Sequence, residues 1–119
     1  MVPRRIPAAD GQAAVAAWAR GGAERRAVAT AVRWTLQRLA DAAPGRTVEV
    51  RVPPHGVTQC VEGPRHTRGT PPNVVETDPD TWLSLATGQL AWSEAVASGA
   101  VRASGTRADL AGLLPPTSG

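Results

Sequence analysis

Hydrophobic and polar positions follow two distinct periods along this chain. From about Ala23 to Ala43, Val28, Val32, Leu36 and Leu39 recur at i, i+4, i+8 and i+11. That spacing lines one face of a helix and leaves Arg25, Arg26 and Arg33 largely off it. Pro44-Gly45 should end the helix, after which the period drops to two. In TVEVRVPP, Val48, Val50 and Val52 alternate with Thr47, Glu49 and Arg51, predicting a strand with one covered and one wet face. PPHG (Pro53 to Gly56) is turn chemistry. VTQCVE (Val57 to Glu62) reads as the returning strand and NVVET (Asn73 to Thr77) as a third.

The remaining stretches carry helix punctuation. Residues 1–11, with Pro3, Pro7 and Gly11, read as frayed, ahead of a short helix from Gln12 to Arg20 stopped by Gly21-Gly22. In DPDTWLSLATG, Asp78 sits at N-cap, Pro79 at N1, Asp80 in the first turn and Gly88 just past the end. SEAVASG predicts a second short helix ending at Gly99, and AVRASG a short strand. TRADLAGLL predicts a last helix, since Thr106 and Asp109 have capping-box spacing. The order implies an α+β domain in which helices cover one face of an antiparallel or mixed sheet, mainly antiparallel in its pairing. Its organisation reads as an N-terminal extension over 1–22, a domain over 23–116 and a tail over 117–119.

Composition changes this picture in two ways. The chain of 119 residues has no Phe, Tyr or Lys, so four Trp and the aliphatic residues must build the core. Its pI of 10.9 reflects the absence of groups titrating between His and Arg more than any polybasic tract, because the formal charge is only +3. Residues 1–68 hold eleven Arg against five acids, a balance of +6, while residues 69–119 stand at −3. An electropositive face on the first half is therefore expected. Nucleic-acid binding is not, since no stacking aromatic lies between Trp34 and Trp82. The single cysteine excludes an internal disulfide and fits a reducing cytoplasm, with Cys60 read as a buried, inert thiol. Behind the opening MVPRRIPAADG the apolar run Ala13 to Ala19 is short and mostly alanine, and a secretory leader is not expected. Nothing approaches a membrane span.

Candidate chemistry is sparse. His55 and His66, eleven residues apart in turn-like segments, lack the companions of a zinc site. No nucleophile stands beside a base, no Gly-rich phosphate loop occurs, and Asp78 and Asp80 are accounted for by capping. We therefore expect no catalytic residues, no metal and no cofactor. Arg65, His66 and Arg68 offer planar, charged donors suited to a carboxylate or phosphate. They serve equally as a solvated bend paired to Glu62 and Glu76, with Pro71-Pro72 as a stiff lead-in to the Asn73–Thr77 strand. The apolar inventory of Trp82, Leu83, Leu85, Leu90, Trp92, Val96, Leu110, Leu113 and Leu114 is either the core of a small domain or, in part, the lining of a pocket.

DPDTWLSLATGQLAWSEAVASGAVRASGTRADLAGLLP resembles the closing segment of sterol carrier protein (SCP-2-like) domains. The matching features are the Asp-led helix at Asp78, the Leu85-x-x-Gly88-x-Leu90 step, the short helix ending at Gly99, the strand followed by Gly105, and Leu110 to Leu114. The likeness extends over about residues 24–116 and is nearest to the short bacterial, actinobacterial members called bacterial SCP orthologues. It implies an SCP-2-like sheet of about five strands under helices, and a non-enzymatic, cytoplasmic lipid-binding or lipid-transport module for a fatty acid, acyl-CoA or sterol-like molecule. The apolar tail would lie among Trp34, Leu36, Trp82, Leu85, Leu90, Trp92, Val96, Leu110 and Leu113, with Arg65, His66 and Arg68 at the rim. The RHTRGTPPN connection departs from the family's general pattern. The alternative is a protein-interaction or accessory module with a filled core, which leaves a homodimer open; stable membrane insertion is not expected.

Overall fold

A computed structural model describes residues 4–63 and 72–116. Two helices open the chain, α1 (Ala8–Ala19) and α2 (Arg25–Ala42), followed by the hairpin β1 (Val48–Val52) and β2 (Gly56–Cys60). After β3 (Asn73–Thr77) come α3 (Pro79–Ala86), α4 (Trp92–Ala97) and β4 (Val101–Ser104), and a 3-10 turn at Ala111–Leu113.

Among the described residues the sheet has four strands, not about five, in the order β2-β1-β3-β4. It is mixed: β1 pairs antiparallel with β2, β3 antiparallel with β4, and the central β1–β3 pair is parallel. β3 starts at the end of the sheet where β1 starts and β2 finishes, so the middle pair runs parallel. Register sorts the side chains. Val50 stands level with Thr58 and Val75, and Val75 with Ala103, so these share the helix-covered face. Val48, Val50, Val52, Cys60 and Val75 are fully buried there. The other face carries ion pairs along and across strands, Arg51 to Glu49 and Arg102 to Glu76, each at 2.5 Å. Exposed pairs of this kind add little stability, about 0–1 kcal/mol; they keep the open face wet. Glu76 is thus engaged by Arg102. Arg65, His66 and Arg68 lie outside the described residues.

The helices cover the apolar face. The stripe predicted on α2 is observed: Val32, Leu36 and Leu39 are buried and Val28 packs against the core. α3 begins as its sequence predicts, with Asp78 Oδ2 accepting from the Thr81 N–H at 3.0 Å and Oδ1 from the Thr81 hydroxyl at 2.6 Å. Partial burial works to raise the Asp78 pKa. The hydrogen bonds from Thr81 and from the backbone N–H groups of Asp78 and Asp80 outweigh it, leaving the carboxyl below its ordinary value. The cap therefore stabilises at every pH above the unfolded carboxyl's pKa and is lost as pH falls through the lower, folded one. Asp78→Ala should cost about 1 kcal/mol at neutral pH and much less once the wild-type carboxyl is protonated. Urea titrations at several pH values measure that difference.

The returning strand runs Gly56–Cys60 instead of Val57 to Glu62, since Val61 takes a left-handed φ of 70° that ends it, and two boundaries outside the sheet also differ from expectation. α1 starts at Ala8, four residues before Gln12, and the segment ahead of it is tied down. The Ile6 N–H donates to Gln37 Oε1 at 2.9 Å, Gln37 Nε2 donates to the Ile6 carbonyl at 3.0 Å, and Arg5 pairs with Asp41. The last helix shrinks to one 3-10 turn. Asp109 Oδ1 accepts from the Ala111 N–H two residues on, an arrangement that competes with helix propagation.

Candidate functional site

The layer between helices and sheet is filled by side chains. Trp82 is wholly buried at its centre, and its indole Nε1 donates to Thr35 Oγ1 at 2.8 Å. Thr35 in turn bonds back to the Ala31 and Val32 carbonyls of its own helix. A hydroxyl supplies one proton and two lone pairs, so one threonine satisfies a buried indole and still has a backbone acceptor for its own proton. Leu36, Leu85 and Leu110 close the same layer, each at most 3% exposed.

Space for a ligand lies instead along α1. Gly11 presses against the Trp34 ring so closely that a Cβ there would overlap it. The small residues of α1 let the two helices approach, and a groove of about 410 Å³ runs beside the contact. Val15, Ala16, Trp34, Ala86 and Pro116 give it apolar walls, with Gln12, Thr35, Arg38 and Thr87 among them. A neighbouring groove of about 440 Å³ shares Gln12, Trp34 and Arg38 and extends toward Arg5 and Ile6. Trp34 and Arg38 are four residues apart and so share a helix face. The guanidinium sits 4.9 Å from the centroid of the Trp34 ring, a cation–π geometry. Arg38 Nη2 also donates to the Pro116 carbonyl at 3.1 Å, pinning the C-terminal segment against α2. A cation thus stands where two grooves meet, beside an apolar wall.

Of the nine apolar candidates, Trp34 alone lines these grooves. Leu36, Trp82, Leu85 and Leu110 belong to the interior, Leu90, Trp92 and Leu113 are half-buried against it, and Val96 is 41% exposed. The sequence reading missed Val15, Ala16, Arg38, Ala86 and Pro116. A readable signal existed in the Trp34–Arg38 spacing and in the alanine-rich face of 13–17. Cys60 is fully buried, and burial pushes its thiol up to about 11, a poor nucleophile at neutral pH. Among the described residues no group of three or more His, Cys, Asp or Glu side chains could hold a metal ion, and no helix is long and apolar enough to cross a membrane.

A family model described as bacterial SCP ortholog matches residues 24–116, which takes in every element from α2 to the final 3-10 turn. No curated protein matches the chain.

Proposed function

The chain belongs to the bacterial SCP ortholog family, and from that premise we propose that it is a non-enzymatic binding or transfer protein for a hydrophobic or amphipathic small molecule. The observation that carries this reading is the groove between α1, α2 and the end of α3. Its volume, about 410 Å³, lies within the usual range for small-molecule sites. Its walls suit an acyl or other apolar tail, and the Arg38 charge at its junction with the second groove favours a carboxylate or phosphate head. The ligand therefore lies against the helical layer, outside the filled core.

Displacement of 11-(dansylamino)undecanoic acid by unlabelled fatty acid tests this. Binding at micromolar protein is expected, and Val15→Asp should weaken it about tenfold or more, because a carboxylate in the apolar wall must be desolvated beneath the chain. Absence of dansyl binding, together with native mass spectra free of any bound species, overturns the proposal. The filled interior favours a second reading, an interaction or accessory module without a lipid ligand. That reading predicts no dansyl binding but concentration-dependent self-association in sedimentation velocity.

A further inference from the structure

A third groove, of about 490 Å³, opens where the end of α1, the α1–α2 loop, the β1–β2 turn and the first turn of α3 meet. None of its chemistry is used by the carrier reading. Charged groups of both signs and an imidazole enter it from different elements. Arg25 comes from α2 and His55 from the β1–β2 turn, while Asp78 and Asp80 come from α3. Among the described residues neither the Arg25 nor the His55 side chain has a hydrogen bond or ion pair. Both aspartates are held in place. Asp78 is fixed by Thr81, and Asp80 Oδ1 accepts from Trp18 Nε1 at 2.8 Å, which also fixes the indole as a wall. Arg33 Nε donates to the His55 carbonyl at 2.8 Å and anchors the turn that presents the imidazole. Gly21 and Gly22, both left-handed with nothing within 4 Å of a Cβ position, keep the loop side of the groove clear.

Charge decides what this groove can take. A simple anion attracted to Arg25 and His55 also meets two carboxylates, and a simple cation attracted to the carboxylates also meets Arg25, with Arg33 behind the turn. The His55 ring already registers the crowding: burial, then Arg25, then Arg33 hold its pKa below the ordinary value. Only a ligand carrying both signs satisfies both sets of groups. We propose that the groove binds a small zwitterion, with its ammonium at Asp78 and Asp80 and its carboxylate or phosphate at Arg25 and His55. Trp18, Val28 and Pro79 cover the short apolar part between the charged ends.

Nuclear magnetic resonance titration of the full chain tests this with L-leucylglycine and O-phosphoethanolamine as probes, and with acetate and ethylammonium as single-charge controls. Both the Trp18 indole N–H and the His55 ring should shift at millimolar zwitterion and stay unmoved by either control at equal concentration. Comparison of the two zwitterions shows whether a carboxylate or a phosphate is preferred. Arg25→Ala and Asp80→Asn should each weaken binding about tenfold, the loss of one hydrogen bond to a charged group, while leaving dansyl-fatty-acid binding unchanged. A bound acid group raises the His55 pKa, so affinity should rise as pH falls through the ring's titration. Acetate or ethylammonium binding as tightly as the zwitterions overturns the proposal, as does the absence of any shift with both zwitterions.

Discussion

Replacing Trp82 with alanine is expected to lower stability toward urea by about 3–5 kcal/mol, the range for deleting a large buried aromatic side chain. Among the described residues Trp82 is the largest side chain with no exposed surface, and it shares the core cluster with Val32, Leu36 and Leu39 of α2 and the valines of β1. Alanine would lose the transfer free energy of the indole and leave a cavity that α2, held by Val32, Leu36 and Leu39, cannot fully close. The hydrogen bond to Thr35 Oγ1 adds a smaller term. Trp82→Phe keeps most of the apolar volume while removing the indole donor and the pyrrole part of the ring; its expected cost is about 1–2 kcal/mol. Unfolding followed by far-ultraviolet circular dichroism gives both numbers. A loss below about 1 kcal/mol for alanine would mean that the helix–sheet layer is not the packed core described here.

Gly11→Val is the second large effect, and its sign opposes intuition from propensity. In an unhindered helix interior, replacing glycine by a residue with a side chain gains at most about 1 kcal/mol, less for β-branched valine. At Gly11 the new side chain would overlap the Trp34 ring. Overpacking of that kind costs about 1–3 kcal/mol, so the steric term wins and the variant is less stable. α1 should lift from α2 rather than distort the sheet. Trp34, buried in the wild type, would then meet water and its fluorescence would move to the red. Fatty-acid binding should weaken with it, because Val15 and Ala16 move away from Trp34 and Ala86. An unshifted spectrum together with full stability would show that α1 does not rest on Trp34.

The elements most readable from sequence were those whose determinants are local. Asp78, Pro79 and Gly88 bracket α3 with chemistry that acts within four residues, and the alternation of Val48, Val50 and Val52 needs only a covered face to become β1. Local reading failed where a distant group decided the outcome. Pro7 resembles a breaker until Gln37 bonds both backbone groups of Ile6, thirty-one residues before it, and holds the entry to α1. Thr106 and Asp109 have the spacing of a helix cap, yet Asp109 is taken by Ala111 and only a 3-10 turn forms. The groove was hidden for a related reason. Apolar residues on one helix announce burial, but not which neighbour buries them. Trp82 and Leu85 went to the interior, while Val15 and Ala16, less conspicuous, came to line open space.

The seating of α1 against Trp34 has a consequence for how such a protein can diverge. The match to the family begins at residue 24, whereas α1 spans Ala8–Ala19 and supplies one wall of the groove. The stretch matched by the family and one wall of the groove are therefore encoded in separate segments, joined at a glycine pair. Substitutions at the exposed Gln12 and Ala16 can reshape what the groove admits without touching the Trp82-centred core, against which Val15 packs. The shape of the groove can thus change at the exposed positions of α1 while the folding unit stays as it is.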